Sequence, residues 1–195
     1  MRVSREQAAK NRAHVIDTAA RLFREKGFSG IGVADLMKEA GLTHGGFYGN
    51  FASKDALVEA ACAHAFDGAT ARWRAMLAHD PDTALARIVA QYLSRRHVDQ
   101  PGQGCAVAAL GGELARLAGP VRAVAGTGVR AQIDLLTQLM AGADAGERRR
   151  AALAAYAGMV GALVLARAVD DSALAEEILG AVRAGAVQTG AQGPG

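Results

Sequence analysis

Residues 32–51 read GVADLMKEAGLTHGGFYGNF, and this stretch decides the fold. Val33, Leu36, Met37 and Ala40 recur at helical spacing, which predicts a short helix with one apolar face. Gly41 supplies the left-handed position that ends a helix cheaply. Thr43 is an N-cap candidate for a second short helix over residues 44–50, so two helices and a tight turn fit within residues 32–51. That is a helix-turn-helix layout. The second helix is poorly composed for stability: His44, Gly45, Gly46, Tyr48, Gly49 and Asn50 are weak helix formers, and three glycines cost roughly 2–3 kcal/mol relative to alanine. Something other than propensity must favour them. One candidate is a surface that has to approach DNA closely, where small residues admit the major groove and a His or Thr hydrogen-bonds a base edge. The other is a Gly-rich loop between two ordinary helices.

The surroundings narrow the choice. Phe23, Gly27, Phe28, Val33, Leu36, Ala40, Gly41, Thr43, Gly46, Phe47, Tyr48, Phe51, Ser53, Lys54 and Leu57 together resemble the amino-terminal signature of the tetracycline-repressor (TetR/AcrR) family of bacterial transcription regulators. The run THGGFYGNFASKDAL resembles a subgroup whose recognition helix reads T-H-G-G-F-Y. The match is dense over about residues 10–60 and thin beyond. Two positions depart from the pattern: Gly32 stands where a Ser or Thr cap is usual, and Gly49 and Asn50 replace an Arg/His pair. Glycine also serves as an N-cap, so the first departure leaves the fold intact. The second bears on the backbone contacts near Asn50.

The resemblance implies that Thr43, His44, Gly46 and Phe47 face base edges or the thymine methyl, and that Tyr48 and Lys54 fix the register on phosphates. It also implies a ligand-released repressor that binds a near-palindromic operator as a dimer. An activator of the same fold reads identically. No catalytic role is implied, and no cofactor.

Composition agrees with an all-α protein of about nine helices. The chain has 195 residues, 51% of them hydrophobic, with many alanines and few β-branched runs. Residues 1–55 hold nine Lys/Arg against six Asp/Glu, whereas residues 56–195 hold thirteen of each, so the whole net charge of +3 lies at the helix-turn-helix end. Cys62 and Cys105 are too few for a disulfide scaffold. The start, MRVSREQAAK, lacks a signal peptide's apolar core, and no stretch approaches eighteen apolar residues uninterrupted by Gly or charge. The expectation is a cytoplasmic protein with no membrane partner.

In chain order, the first helix is expected over 5–26, with Val15, Ile16, Ala19, Leu22 and Phe23 on one face. Its Arg2, Arg5, Lys10 and Arg12 either reach phosphates or form a solvated charged face. Ser53-Lys54-Asp55 opens a fourth helix over 54–79, whose amino terminus and Lys54 suit a phosphate. Asp80-Pro81 starts a fifth over 81–97, and a loop over 98–103 follows. Further helices are expected over 104–117, 121–141, 147–169 and 172–187, then a disordered tail, 188–195. The domains expected are 1–52 for DNA, 53–187 for ligand and dimerisation, and the tail.

Within 147–187 the first helix is apolar around most of its girth, with Gly158 and Gly161 allowing close approach. Its mate carries Leu174, Ile178, Leu179 and Val182. The pair suits a four-helix homodimer interface, or else one chain's interior. An effector cavity is expected from Phe66, Trp73, Tyr92, Leu110, Tyr156 and Met159, with His97, Glu113 or Gln132 as polar anchors and Cys105 as a small lining residue. Its ligand would be an unidentified apolar or aromatic small molecule. Cys105 opens a helix, where a thiol gains reactivity, so an electrophile or redox sensor is a further reading, as is a helical small-molecule carrier. No His/Cys spacing suits a metal, and no G-x-S-x-G, P-loop or dinucleotide fingerprint occurs.

Overall fold

The computed structural model describes residues 4–191, and all the regular structure among them is helical. The helices are α1 (Arg5–Lys26), α2 (Val33–Glu39), α3 (Gly45–Tyr48), α4 (Lys54–His79), α5 (Pro81–Tyr92), α6 (Arg95–Asp99), α7 (Ala106–Leu114), α8 (Pro120–Leu139), α9 (Ala145–Ala168) and α10 (Ser172–Ala191), with a 3-10 turn at Pro101–Gln103. The all-α class stands. Local signals placed most of the ends. Ser4 caps α1 by accepting from Gln7 N–H, and Asp80 caps α5 ahead of Pro81. Asp171 Oδ1 accepts from the N–H groups of Ala173 and Leu174 at the start of α10.

Three expectations need correction. The fifth helix stops at Tyr92, because Ser94 caps a separate α6 by accepting from His97 N–H, which brings the helices among the described residues to ten. The last helix runs to Ala191, so residues 188–191 are helical rather than tail. Residues 192–195 and Arg2 lie outside the described residues. The chain also divides differently from 1–52 and 53–187: one compact unit comprises Met1–Asp67 and Pro101–Gly126, the other Gly68–Gln100 and Thr127–Gly195. Pro101–Gln103 and α7 pack on α1, so a segment distant in sequence completes the first unit.

The first unit is built on the apolar stripe of α1. Val15, Ala19, Leu22 and Phe23 are buried, as are Leu36 and Met37 of α2, Phe47 of α3, and Phe51 and Leu57 beyond it. In the second unit α9 packs along α10, with Gly158 brought up to Val182, and α10 also meets α5. Ile88, Val89, Leu136, Met159, Leu163 and Leu179 fill this interior. By length and composition α9 could cross a bilayer, with a mean hydropathy of 1.6 over its most apolar window. Ala152, Ala155, Ala162 and Ala166 are nevertheless buried along it, the pattern of a helix packed against protein.

Candidate nucleic-acid interface

Gly41 turns α2 toward α3 as anticipated. Its φ is 66°, Leu42 N–H donates to Met37 C=O and Gly41 N–H donates to Lys38 C=O, which is the paired-bond helix terminus that a left-handed residue permits. The helix that follows is only one turn long. It begins at Gly45, with His44 in the capping place and no side-chain cap. Thr43 therefore does not cap it through its hydroxyl; its carbonyl accepts from Gly46 N–H instead. At the far end Asn50 Nδ2 donates to Gly46 C=O at 2.7 Å. That side-chain bond closes the glycine-rich turn from within, and it turns the Asn50 amide inward.

Thr43, His44, Gly45 and Tyr48 are exposed and Gly46 is half-buried. Tyr48 is 68% exposed and its ring meets the His44 ring edge-on at 5.9 Å, so these two aromatics form one outward feature. Phe47 must be corrected. It is 1% exposed, stacked on Phe51 at 5.7 Å, and it belongs to the core rather than to the outward face. In a one-turn helix only one or two residues can point inward, and here Phe47 is the anchor that presents the others. Arg12 lies over the Phe51 ring at 5.0 Å, which adds a cation beside the same anchor. Lys10 pairs with Glu6 at 2.6 Å, and both are exposed.

Ser53 caps α4 by accepting from Ala56 N–H at 3.1 Å. Lys54 at its first turn donates to Ile31 C=O at 2.7 Å. One of its three donors thus ties α4 to the connection before α2, leaving two for other acceptors.

The ten residues expected to line one cavity fall into two groups. Phe66, Cys105 and Leu110 are buried in the first unit, where Glu113 accepts from Phe28 N–H at 2.9 Å. In the second unit Trp73 meets Tyr92 at 6.2 Å and Tyr156 at 6.3 Å, Tyr92 meets His97 at 4.7 Å, and Tyr156 Oη donates to Gln132 Oε1 at 2.6 Å. Met159 is buried on α9 of that unit. His97 Nδ1 donates to Tyr92 C=O at 2.7 Å. Burial lowers its pKa to about 4, the Tyr92 carbonyl opposes this, and the cations of Arg167 and Arg72 reinforce it. The imidazole is therefore neutral. An open cleft of about 260 Å³ is lined by Arg95, Asp99, Arg167 and Asp170 among others, and Arg167 donates to His97 C=O at 2.6 Å. Among the described residues no group of three or more His, Cys, Asp or Glu is placed to hold a metal ion.

Burial pushes the Cys62 thiol up to about 11, against a smaller opposing effect of Arg24. Cys105 is 7% exposed, at the capping place of α7. Sequence reasoning missed the partners of Glu113 and Arg24, which are joined across 85 and 78 positions of chain. No local signal marks such pairs.

An anchored, outward-facing second helix after a Gly turn is the arrangement of a helix-turn-helix DNA-binding protein. The family description "Bacterial regulatory proteins, tetR family" matches residues 15–61. The HTH-type transcriptional repressor NemR of Escherichia coli K12 is 30% identical over 132 residues, 66% of this chain and 66% of that protein. A crystal structure of the E. coli NemR reduced form superposes with a TM-score of 0.77 at 24% identity, over 92% of this chain and 96% of that one. A TetR-family regulator from Cytophaga hutchinsonii gives a TM-score of 0.79 at 19% identity, over 98% and 100%. These two establish a shared fold. The chain belongs to the TetR/AcrR family of DNA-binding transcription regulators. Its sequence match to NemR spans about two thirds of that relative's length.

Proposed function

We propose that the chain is a sequence-specific repressor that binds a near-palindromic operator as a homodimer and lets go when a small apolar or aromatic effector binds. The observation that carries this reading is the glycines of α3 and of its C-cap. A Cβ at Gly45 would find nothing within 4 Å; one at Gly46 would meet Met37 and Thr43 only at 3.7 Å; and one at Gly49 would meet Gly46 C=O at 3.7 Å. None of the three has a positive φ. Nothing inside the chain requires them, yet the two within α3 weaken the helix by roughly 1–2 kcal/mol. A surface outside the chain that must come close explains them, and the floor of the major groove is such a surface.

In this reading Thr43 and His44 meet base edges, Gly46 admits the groove, and Tyr48 with the remaining donors of Lys54 holds phosphates. Phe47 takes no part in contact. The dimer forms through α9 and α10, where Leu153, Val164, Leu165 and Leu174 stay 41–55% exposed within one copy. A two-fold axis there would place two α3 helices about 34–36 Å apart, one DNA turn. The effector enters around Trp73, Tyr92 and Tyr156, with Gln132 and the neutral His97 as polar groups. The site of action is the cytoplasm.

A second reading, release by oxidation or electrophiles, is favoured by the place of Cys105 at the N-cap of α7, the helix that carries Glu113 to Phe28. The NemR structure was described as a reduced form, which fits a thiol-dependent relative. A Cys105→Ser protein that still answers an electrophile would end this second reading.

The primary test is selection of bound sequences from a random duplex library across a salt series. A recovered inverted repeat, with affinity falling steeply as salt rises, is the expected result. Recovery of no motif by the wild-type protein would overturn the operator reading.

A further inference from the structure

Pro101–Gln103 and α7 lie against the carboxyl-terminal half of α1, held by two polar ties. Arg24 donates from Nε to Gly102 C=O at 2.9 Å, and its Nη2 reaches the same carbonyl. Glu113 Oε2 accepts from Phe28 N–H at 2.9 Å, immediately past the Gly27 that closes α1. Both ties are partly buried. The approach is close as well as bonded. A Cβ at Gly102 would meet Arg21 Cγ at 2.9 Å and the Glu25 carboxyl carbon at 2.8 Å; one at Gly27, whose φ is 80°, would meet Glu113 Oε1 at 2.7 Å.

The position of the second tie gives it leverage. Phe28 begins the connection from α1 to α2, and its ring turns back edge-on to Phe23 at 5.5 Å. Lys54 fixes the same connection from the other side, through Ile31 C=O. With Phe28 held, residues 28–32 leave α1 in one direction, and α2, which packs on α1 and carries α3, follows. A carboxylate is a stronger acceptor for one backbone N–H than a neutral group, and Arg24 gives one carbonyl two donors.

We propose that Glu113 and Arg24 are positioning residues for DNA reading: they touch no DNA, but through the end of α1 they fix the direction in which α2 and α3 are presented. The chain enters this segment from α6 and leaves it toward α8. The consequence for DNA rests on the operator reading above; the ties themselves are measurable without DNA.

The test is amide hydrogen exchange on the full chain in wild type, Glu113→Ala, Glu113→Gln and Arg24→Lys. Glu113→Ala should speed exchange of the Phe28 amide about tenfold or more and of the α2 and α3 amides about threefold, with α9 and α10 unchanged. Glu113→Gln keeps an acceptor and should restore most of the protection. On the duplex recovered from library selection, Glu113→Ala should bind about tenfold more weakly with an unchanged salt slope, since no phosphate contact is lost. Faster exchange at Phe28 alone, with α2 and α3 as in wild type, would overturn the proposal, as would a uniform rise that includes α9 and α10. Should Glu113→Ala fail to fold, Arg24→Lys decides by the same pattern. If library selection recovers nothing for the wild type, the exchange arms still judge the ties.

Discussion

Two sets of glycines in the same compact unit have opposite causes. Gly27 and Gly102 sit where another part of the chain comes too close for a side chain, and Gly27 also holds a positive φ. Gly45, Gly46 and Gly49 sit in a helical turn with open space or ordinary contact around them. The first set is explained by the fold. The second is a cost that the fold does not require, and so it points outward. Asking what a Cβ would meet separates a residue kept for packing from one kept for a partner.

The largest effect on stability is expected inside α3 itself, where Phe47 marks the boundary between the two kinds of position. Phe47→Ala should destabilise by about 3–5 kcal/mol, the range for emptying an aromatic site in a packed core. Urea denaturation followed by circular dichroism measures it. A loss of less than about 1 kcal/mol would mean that the Phe47–Phe51 stack does not anchor the turn.

His97 provides a comparable test in the second unit, where burial disfavours the charged imidazole more than the Tyr92 carbonyl favours it. The unfolded imidazole takes its proton near pH 6.5, the folded one only near about 4. Between those values the unfolded chain binds more protons, so the stability contribution is intact above about 6.5 and falls as the pH drops toward about 4. The full drop is up to about 3 kcal/mol. His97→Gln should flatten that limb of a melting-temperature profile; an unchanged limb would place the titrating group elsewhere.

Gly102→Ala returns to the seam of α1. The added methyl must displace Arg21 or the Glu25 carboxyl, and overpacking of this size costs about 1–3 kcal/mol. Because Glu25 is a flexible side chain and partly exposed, the lower half of that range is expected. No measurable loss would show that the seam is looser than its distances imply.

What could be read in the sequence divides along the same line. Gly27, Gly41, Ser53, Asp80 and Pro81 announce their roles because caps and left-handed turns act within four residues. Ser94 carries the same kind of signal ahead of Arg95 and Arg96, although a single helix over 81–97 is the sequence expectation. The resemblance alone puts Phe47 outward, and one turn offers no periodicity to say which side faces the core. Glu113 was assigned to a cavity because its partner, Phe28, is 85 positions away and contributes only a backbone N–H, which no sequence pattern marks. The glycines of α3 could be recognised as costly, but their lack of an internal cause required coordinates.

The smallest change in stability is expected where the change in function is greatest. Gly46→Ala removes the entropy penalty of glycine in a helix, and its methyl would sit 3.7 Å from Met37 Cε and Thr43 Oγ1, an ordinary contact. The protein should therefore gain about 0.5–1 kcal/mol. In the reading above the groove floor approaches this turn and any added bulk there hinders it, so affinity for the selected inverted repeat should fall by about tenfold or more, while weak binding to random duplex persists through Lys54 and Tyr48. Melting temperature and operator affinity would then move in opposite directions, which neither a loop without function nor a packing role predicts. If Gly46→Ala lowered stability, the glycine would have an internal cause after all. If it raised stability and left operator affinity untouched, the outward cause would be lost, and with it the contrast between the two sets.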